Sequence, residues 1–354
     1  MMLKIHAFAH RILDYSGHPY SYHLCCMKAL EALGGQYFAY VHQDCQISPL
    51  PSNWTPWFPS TDQKSNFKKR VNNFVRQAAG PHRVFFIETF FRKEFKAFCK
   101  AIFLNAKSSD KVWILFRDDH ILKHRKDRLA VKMWMWVLKK RFKNSLSLFT
   151  DSELIAEYLT SALKLPFQIL PIPNVDCHIQ PFAPSFSNNL LFLGEPRAEK
   201  GASLIKQLAC SKDPMAASFN LTCSEALALP NGRLNIHFHD KVLSTEAYFQ
   251  TLQKADIMLM PYDAHRYQRR SSGILIESIF MGKIPIVTAG SFLAYQLQKA
   301  DLNELVVDFT RPDFFSHLHQ LILRPELYEK LNRLQADFTK KHCQESFKEG
   351  FKIF

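Results

Sequence analysis

The sequence predicts an α/β protein of two lobes, each a parallel sheet wrapped by crossover helices. Three observations lead there. The chain has 354 residues, which at ~150 residues per domain is enough for two cores. Short β-rich apolar runs alternate with helix-length segments along its whole length, the pattern of a parallel sheet rather than of a sandwich or a bundle. A proline-rich stretch, LPIPNVDCHIQPFAPSFSNN at 170–189, separates two such series.

In the first series, strands are expected at 5–9, 37–41, 84–88, 112–116, 146–149 and 167–170, where β-branched and aromatic residues cluster between turn signals. The intervening helices include 21–33, 93–104, 122–142 and 152–163. Residues 47–60, with Pro49, Pro51, Pro56 and Pro59, read as an irregular loop. The second series has strands at 190–193, 218–222, 234–238, 256–260, 284–288 and 305–307, again with helices between. The boundaries that follow are 1–172 for the first domain, 173–188 for a linker and 189–354 for the second, whose last helix can cross back to the first lobe.

Hydrophobic residues make up 47% of the chain, with 11 Gly and 18 Pro, which excludes a disordered or collagen-like protein. No apolar run approaches the ~18 residues of a membrane span. The opening MMLKIHAFAH lacks the sustained apolar stretch of a signal peptide, so the expected compartment is the cytoplasm. The eight cysteines show neither CxxC nor zinc-site spacing and are expected as reduced core residues. The net charge of +14 favours an anionic partner. Much of it sits at 123–143, where nine Lys/Arg face one Asp around the apolar centre MWMWVL. Such a helix can lie on an anionic membrane, with Lys139, Lys140, Arg141 and Lys143 as cations and Trp134 or Trp136 as the wedge, or it can be a packed helix with solvated ends.

Ligands of parallel α/β sheets bind beyond the carboxyl ends of the strands, and two segments there carry chemistry. PYDAHRYQRRSSGILIESIFMGKIPIV (261–287) opens a helix through Ser271, Ser272 and Gly273, directly after Arg269 and Arg270. Free backbone N–H groups and the positive end of the helix dipole make that point an anion site, most naturally for a diphosphate. Glu277, one turn further on, is placed to accept hydrogen bonds from ribose hydroxyls. The plainer alternatives are an ordinary helix cap and a solvated glutamate. GEPRAEKG (194–201) follows the first strand of the second lobe: Gly194 permits close backbone approach, and Arg197 and Lys200 can converge on phosphate oxygens or simply form a solvated turn.

These residues resemble a known family. FLGEPRAEKG, followed by ADIMLMPYDAHRYQRRSSGILIESIFMGKIPIV, looks like the nucleotide-sugar site of GT-B glycosyltransferases, in particular the retaining family 4. TDSELIAEYL, ILPIPNVD and YSGHPYSYHLCCMKALEALGGQYFAYV are similar to that family's first lobe and connection. The resemblance implies two Rossmann-like lobes facing across a cleft, and transfer of a sugar from a nucleotide-diphosphate donor to a glycan or lipid-linked acceptor. It further implies retention, no metal and no cofactor beyond the donor itself.

By the same resemblance Arg197 and Lys200 hold the diphosphate, with Gly194, Arg270, Ser272 and Gly273 around it, and Glu277 holds the ribose. Family members commonly carry a second glutamate eight positions before Glu277, where this chain has Arg269. YQRRSSG matches a Tyr-x-x-Arg-x-Ser-Gly variant, which points to a subgroup with a different donor. The rival reading is a GT-B-shaped binding protein without turnover. On the first lobe the acceptor side nominates Gly17, His18, Glu88 and the Arg117-Asp118-Asp119-His120 segment, His18 as a positioner of sugar hydroxyls. A nucleic-acid partner is not expected, because no recognisable nucleic-acid module is present.

Overall fold

The computed structural model describes residues 3–15, 18–78, 80, 82–88, 90–173, 178–184 and 187–352, with the side chains of His18, Gln344, Phe351 and Lys352 outside that description. The chain divides into two compact units, Met1–Pro173 with Gln344–Phe354, and Asn174–Cys343.

The first unit runs β1 (Lys4–Ala9), α1 (His18–Ala32), β2 (Gln36–His42), β3 (Trp54–Phe58), α2 (Lys64–Gln77), β4 (Arg83–Glu88), α3 (Arg92–Asn105), β5 (Lys111–Phe116), α4 (Arg125–Phe142), β6 (Leu146–Thr150), α5 (Glu153–Leu163) and β7 (Gln168–Ile169). Its seven strands are all parallel, in the order β3-β2-β1-β4-β5-β6-β7. The period-2 alternation of a strand splits β1 between two cores. Ile5, Ala7 and Ala9 face α1, packing with Tyr22, Cys26, Ala29 and Leu30. Phe8 faces the opposite layer, with Phe67, Val71 and Phe74 of α2 and Phe98 of α3.

Residues 47–60 are not wholly irregular, since β3 lies within them. It is the edge strand, where Pro56 opposite Val41 costs no ladder bond on its open side, and the register shifts between Val41 and His42. Helix α2 is not among the elements the sequence predicts, although Phe67, Val71, Phe74 and Val75 form its buried stripe. The helix expected from 122 starts at Arg125, behind a 3-10 turn at His120–Leu122.

The second unit runs β8 (Asn189–Phe192), α6 (Ala202–Ala209), β9 (Asn220–Ser224), β10 (Asn235–His239), α7 (Thr245–Lys254), β11 (Ile257–Met260), α8 (Gly273–Phe280), β12 (Ile284–Val287), α9 (Phe292–Lys299), α10 (Phe314–Ile322) and α11 (Pro325–His342). Its five parallel strands follow the order β10-β9-β8-β11-β12. The strand expected at 305–307 is reduced to one bridge, Val287 to Val306. Helix α8 is almost wholly buried. Gln335 of α11 closes its end, donating to the carbonyls of Ile279 and Phe280 at 2.7 and 3.1 Å, beside the Gly282 and Gln180 amides that donate to the same two oxygens. The last helix, α12 (Gln344–Lys352), belongs to the first unit, where Phe347 packs edge-on against Tyr22 of α1.

Cys25, Cys26, Cys99 and Cys223 are buried, as expected of core residues, but Cys210 is exposed and Cys45 and Cys343 are half-buried; all seven are free thiols, and Cys177 lies outside the described residues.

Candidate active site

The carboxyl ends of β8 and β11 carry the two loops that the sequence singled out. Gly194 leaves β8 with φ +92°, and a Cβ there would lie 2.8 Å from Lys200 Nζ and 3.4 Å from Ile274 Cδ1. Residues Ala198–Lys200 form a 3-10 turn that ends on Gly201, φ +82°. A Cβ on Gly201 would sit 2.0 Å from the Pro261 carbonyl oxygen, a backbone atom that cannot step aside. Asp263 N–H donates to the Glu199 carbonyl at 2.9 Å. These contacts fasten the GEPRAEKG loop to the start of the segment that leads into α8.

Helix α8 begins as a cap signal requires. Ser272 is extended and its Oγ accepts from Leu275 N–H at 3.4 Å. The Tyr262 hydroxyl also bonds to Ser272, and burial pushes that phenol well up from its ordinary range. Tyr267 lies 4.5 Å from Tyr262, centroid to centroid, and Arg270 stacks over Tyr267 at 5.4 Å. The ordinary-cap reading of Ser272 is therefore satisfied, while the N–H of Gly273 still opens the helix beside two cations.

The electrostatics of this corner are positive. Lys200 is half-buried, makes no salt bridge among the described residues and stands 6.0 Å over the Tyr262 ring. Burial, together with Arg197 and Arg270 nearby, lowers its pKa to about 8. Arg197 is more exposed and pairs with Glu199 at 3.2 Å and Glu195 at 3.8 Å. Glu277 is half-buried and accepts a short hydrogen bond from the Tyr248 hydroxyl of α7. Its pKa is raised, because burial outweighs the opposing help of Tyr248 and Lys200. The structure thus groups Gly194, Arg197, Lys200, Arg270, Ser272, Gly273 and Glu277 in one unit. Tyr248 and Tyr262 were missed, and Tyr267 entered only as the first residue of the YQRRSSG motif, without a role of its own; the sequence signal for Tyr262 was its place directly after β11.

The first unit's candidates behave differently. Gly17 and the His18 side chain lie outside the described residues. Glu88, at the end of β4, is buried and held by Arg117 Nη1 at 3.1 Å and His23 Nε2 at 3.4 Å. Arg117 also reaches Asp151 at 3.3 Å and stacks over Tyr22 at 4.6 Å. Burial works against its charge, but Glu88 and Asp151 outweigh that and hold its pKa above the ordinary value. Asp118 accepts from His120 N–H at 3.0 Å and Asp119 lies 3.9 Å from Lys123. Most of this set is tied up in the protein's own ion pairs and turns.

No family model matches the sequence, and no curated protein sequence matches it. Solved structures do. The chain is similar to an α-glucosyltransferase in complex with UDP and a 13-mer DNA containing an HMU base, at 13% identity and TM-score 0.60 over 100% of this chain and 99% of that one. It is similar to the OtsA apo structure at 10% identity and TM-score 0.65 over 99% and 98%. A T4 phage β-glucosyltransferase matches at 10% identity and TM-score 0.55 over 100% and 99%. At these identities the likeness establishes the fold: two Rossmann-like units of the GT-B class.

One expectation is overturned. The α-glucosyltransferase carries DNA in these structures, with an HMU base in one and an abasic site in another, so a nucleic-acid partner is not excluded for a chain of this fold. The absence of a recognisable module was the wrong criterion, because a GT-B protein needs no separate module to hold DNA.

Proposed function

We propose that the protein is a glycosyltransferase that takes its sugar from a nucleoside-diphosphate donor bound by the second unit. The observation that carries this reading is the convergence of Lys200, Arg197 and Arg270 on the N-terminus of α8, at the carboxyl ends of β8 and β11. In the transfer, the bond from the anomeric carbon to the diphosphate oxygen breaks and its electron pair stays on the diphosphate. The acceptor hydroxyl oxygen bonds to the anomeric carbon, and its proton passes to the departing phosphate oxygen on the same face. Lys200, Arg197 and the Gly273 N–H stabilise the charge that develops there, as preorganised donors do when aimed at a leaving group. Entry of the acceptor on the face that the diphosphate leaves gives retention, and the cations supply the charge that a divalent ion otherwise supplies. Glu277, oriented by Tyr248, accepts from the ribose hydroxyls.

Glycan or lipid-linked acceptors suit the family resemblance. A nucleic-acid acceptor is the second reading, favoured by the DNA-bound neighbours together with the +14 charge. The test begins with a thermal-shift series against nucleoside diphosphates, since a ligand that binds the native state raises the midpoint by mass action. Transfer is then followed with the stabilising nucleotide's sugars, in EDTA, offered to oligosaccharides, lipid-linked sugars and hydroxymethylated DNA. NMR of the product anomer reads the stereochemistry. If no nucleotide shifts the midpoint, the donor site is misassigned; binding without transfer to any acceptor or to water means a binding protein.

A further inference from the structure

Helix α4 presents two stripes. Val131, Met135, Leu138 and Phe142 are buried in the first unit's core. On the opposite side, Leu129, Met133 and Trp136 recur at the same 4-and-3 spacing and are 59, 51 and 64% exposed. Lys140, one turn on, stacks over Trp136 at 5.4 Å. Lys126, Lys132, Lys139 and Lys143 are exposed around this stripe and form no salt bridge among the described residues. The helix's single acid, Asp127, is neutralised by Arg92 at 2.8 Å.

Two expectations from the sequence change here. Trp134 is half-buried against the core, so it is not the wedge. Arg141 donates to the Ala106 carbonyl at 2.7 Å and stacks over Phe103 and Phe142, which makes it an anchor of α4 to the protein.

We infer that the outward face of α4 is a docking surface for an anionic lipid bilayer, with Trp136, Met133 and Leu129 entering the headgroup region and Lys126, Lys132, Lys139, Lys140 and Lys143 meeting lipid phosphates. This surface is independent of the donor site. Charge complementarity calls for an anionic partner, and the apolar stripe in the middle of the cations selects a bilayer over a nucleic acid. A phosphodiester chain would use the lysines and gain nothing from Leu129 and Met133, whereas an interface stabilises both halves of the face.

Co-sedimentation of the full chain at low ionic strength, with vesicles of phosphatidylcholine alone and of an equimolar phosphatidylcholine–phosphatidylglycerol mixture, tests this. Binding is expected only to the mixture, with loss at high salt. Changing Lys132, Lys139, Lys140 and Lys143 together to Ser should weaken it about a hundredfold or more. Trp136→Ser should weaken it roughly tenfold, and the blue shift of tryptophan emission on binding should vanish in Trp136→Phe. These residues are exposed, so circular dichroism should stay unchanged. Absence of binding to the mixture, or binding indifferent to both variants, overturns the inference. So does a face that binds a duplex oligonucleotide through the same lysines while leaving the vesicles in solution.

Discussion

The two units carry the same kind of sheet and place charged residues at the same carboxyl ends, yet they use the charges in opposite ways. In the first unit Glu88, Arg117, Asp151 and His23 close on one another beneath Tyr22. In the second, Lys200 has no salt bridge among the described residues, Glu277 is held by a tyrosine rather than by a cation, and Arg197 pairs with Glu195 and Glu199 of its own loop. A buried network paired within the fold is a structural element, whereas unpaired cations beside a helix N-terminus suit the binding of an anion. The difference lies in who completes the charge balance, the fold or a ligand.

The largest effect should come from breaking the self-paired side. Arg117→Ala leaves Glu88 and Asp151 buried without their cation, and about 3–5 kcal/mol of stability should go, read as a lower urea midpoint. Nucleotide affinity of the folded fraction should not change. A variant as stable as the parent would mean that water already satisfies these carboxylates.

On the ligand-completed side the pattern should invert. Lys200→Ala should leave the urea midpoint near its parent value and lower kcat/KM by roughly tenfold to a thousandfold. Arg197→Ala should cost less, because Arg197 already shares its charge with Glu195 and Glu199. Equal losses from the two would show that those pairs open when the donor binds.

Glu277→Gln keeps the shape but loses the charge, and should weaken nucleotide binding by about 1.5–3 kcal/mol, the range for hydrogen bonds to a charged group. Calorimetry with the diphosphate measures it. Intact affinity with abolished transfer would move Glu277 from the ribose to the chemistry.

The smallest effect is the most diagnostic. With its pKa lowered to about 8, Lys200 loses its proton between pH 7 and 9, and only the protonated form attracts the diphosphate. Affinity should fall by up to about tenfold as pH rises through that window, with proton uptake on binding near pH 8. Lys200→Met should flatten the profile, and an affinity that climbs with pH would refute the assignment.

Much of this was legible in the sequence, for identifiable reasons. Strands such as β4 and β11 are continuous apolar runs that only a buried parallel strand explains. The two loops declared themselves because glycine, serine and cations crowd directly after such strands. What stayed hidden depended on tertiary placement. Four prolines concealed β3, since nothing local says that a strand will lie at an edge. MWMWVL is apolar all round, so the sequence did not reveal that Trp134 turns inward and Trp136 outward. Tyr248 lies 29 positions before Glu277, and only the packing of α7 near α8 brings them together.

The contact between Gly201 and the Pro261 carbonyl has a further consequence. With no room for even a methyl group between them, and with Asp263 bonded to Glu199, the two loops form a single body. The cost of ordering them falls on folding rather than on binding. In hydrogen-exchange terms, the amides of Gly201, Leu204 and Asp263, which donate to Ala198, Gly201 and Glu199, should already be slow in the empty protein and change little on nucleotide addition. The evolutionary corollary is that the exposed Glu195 can vary without disturbing this body, while any side chain at position 201 would collide with the Pro261 carbonyl.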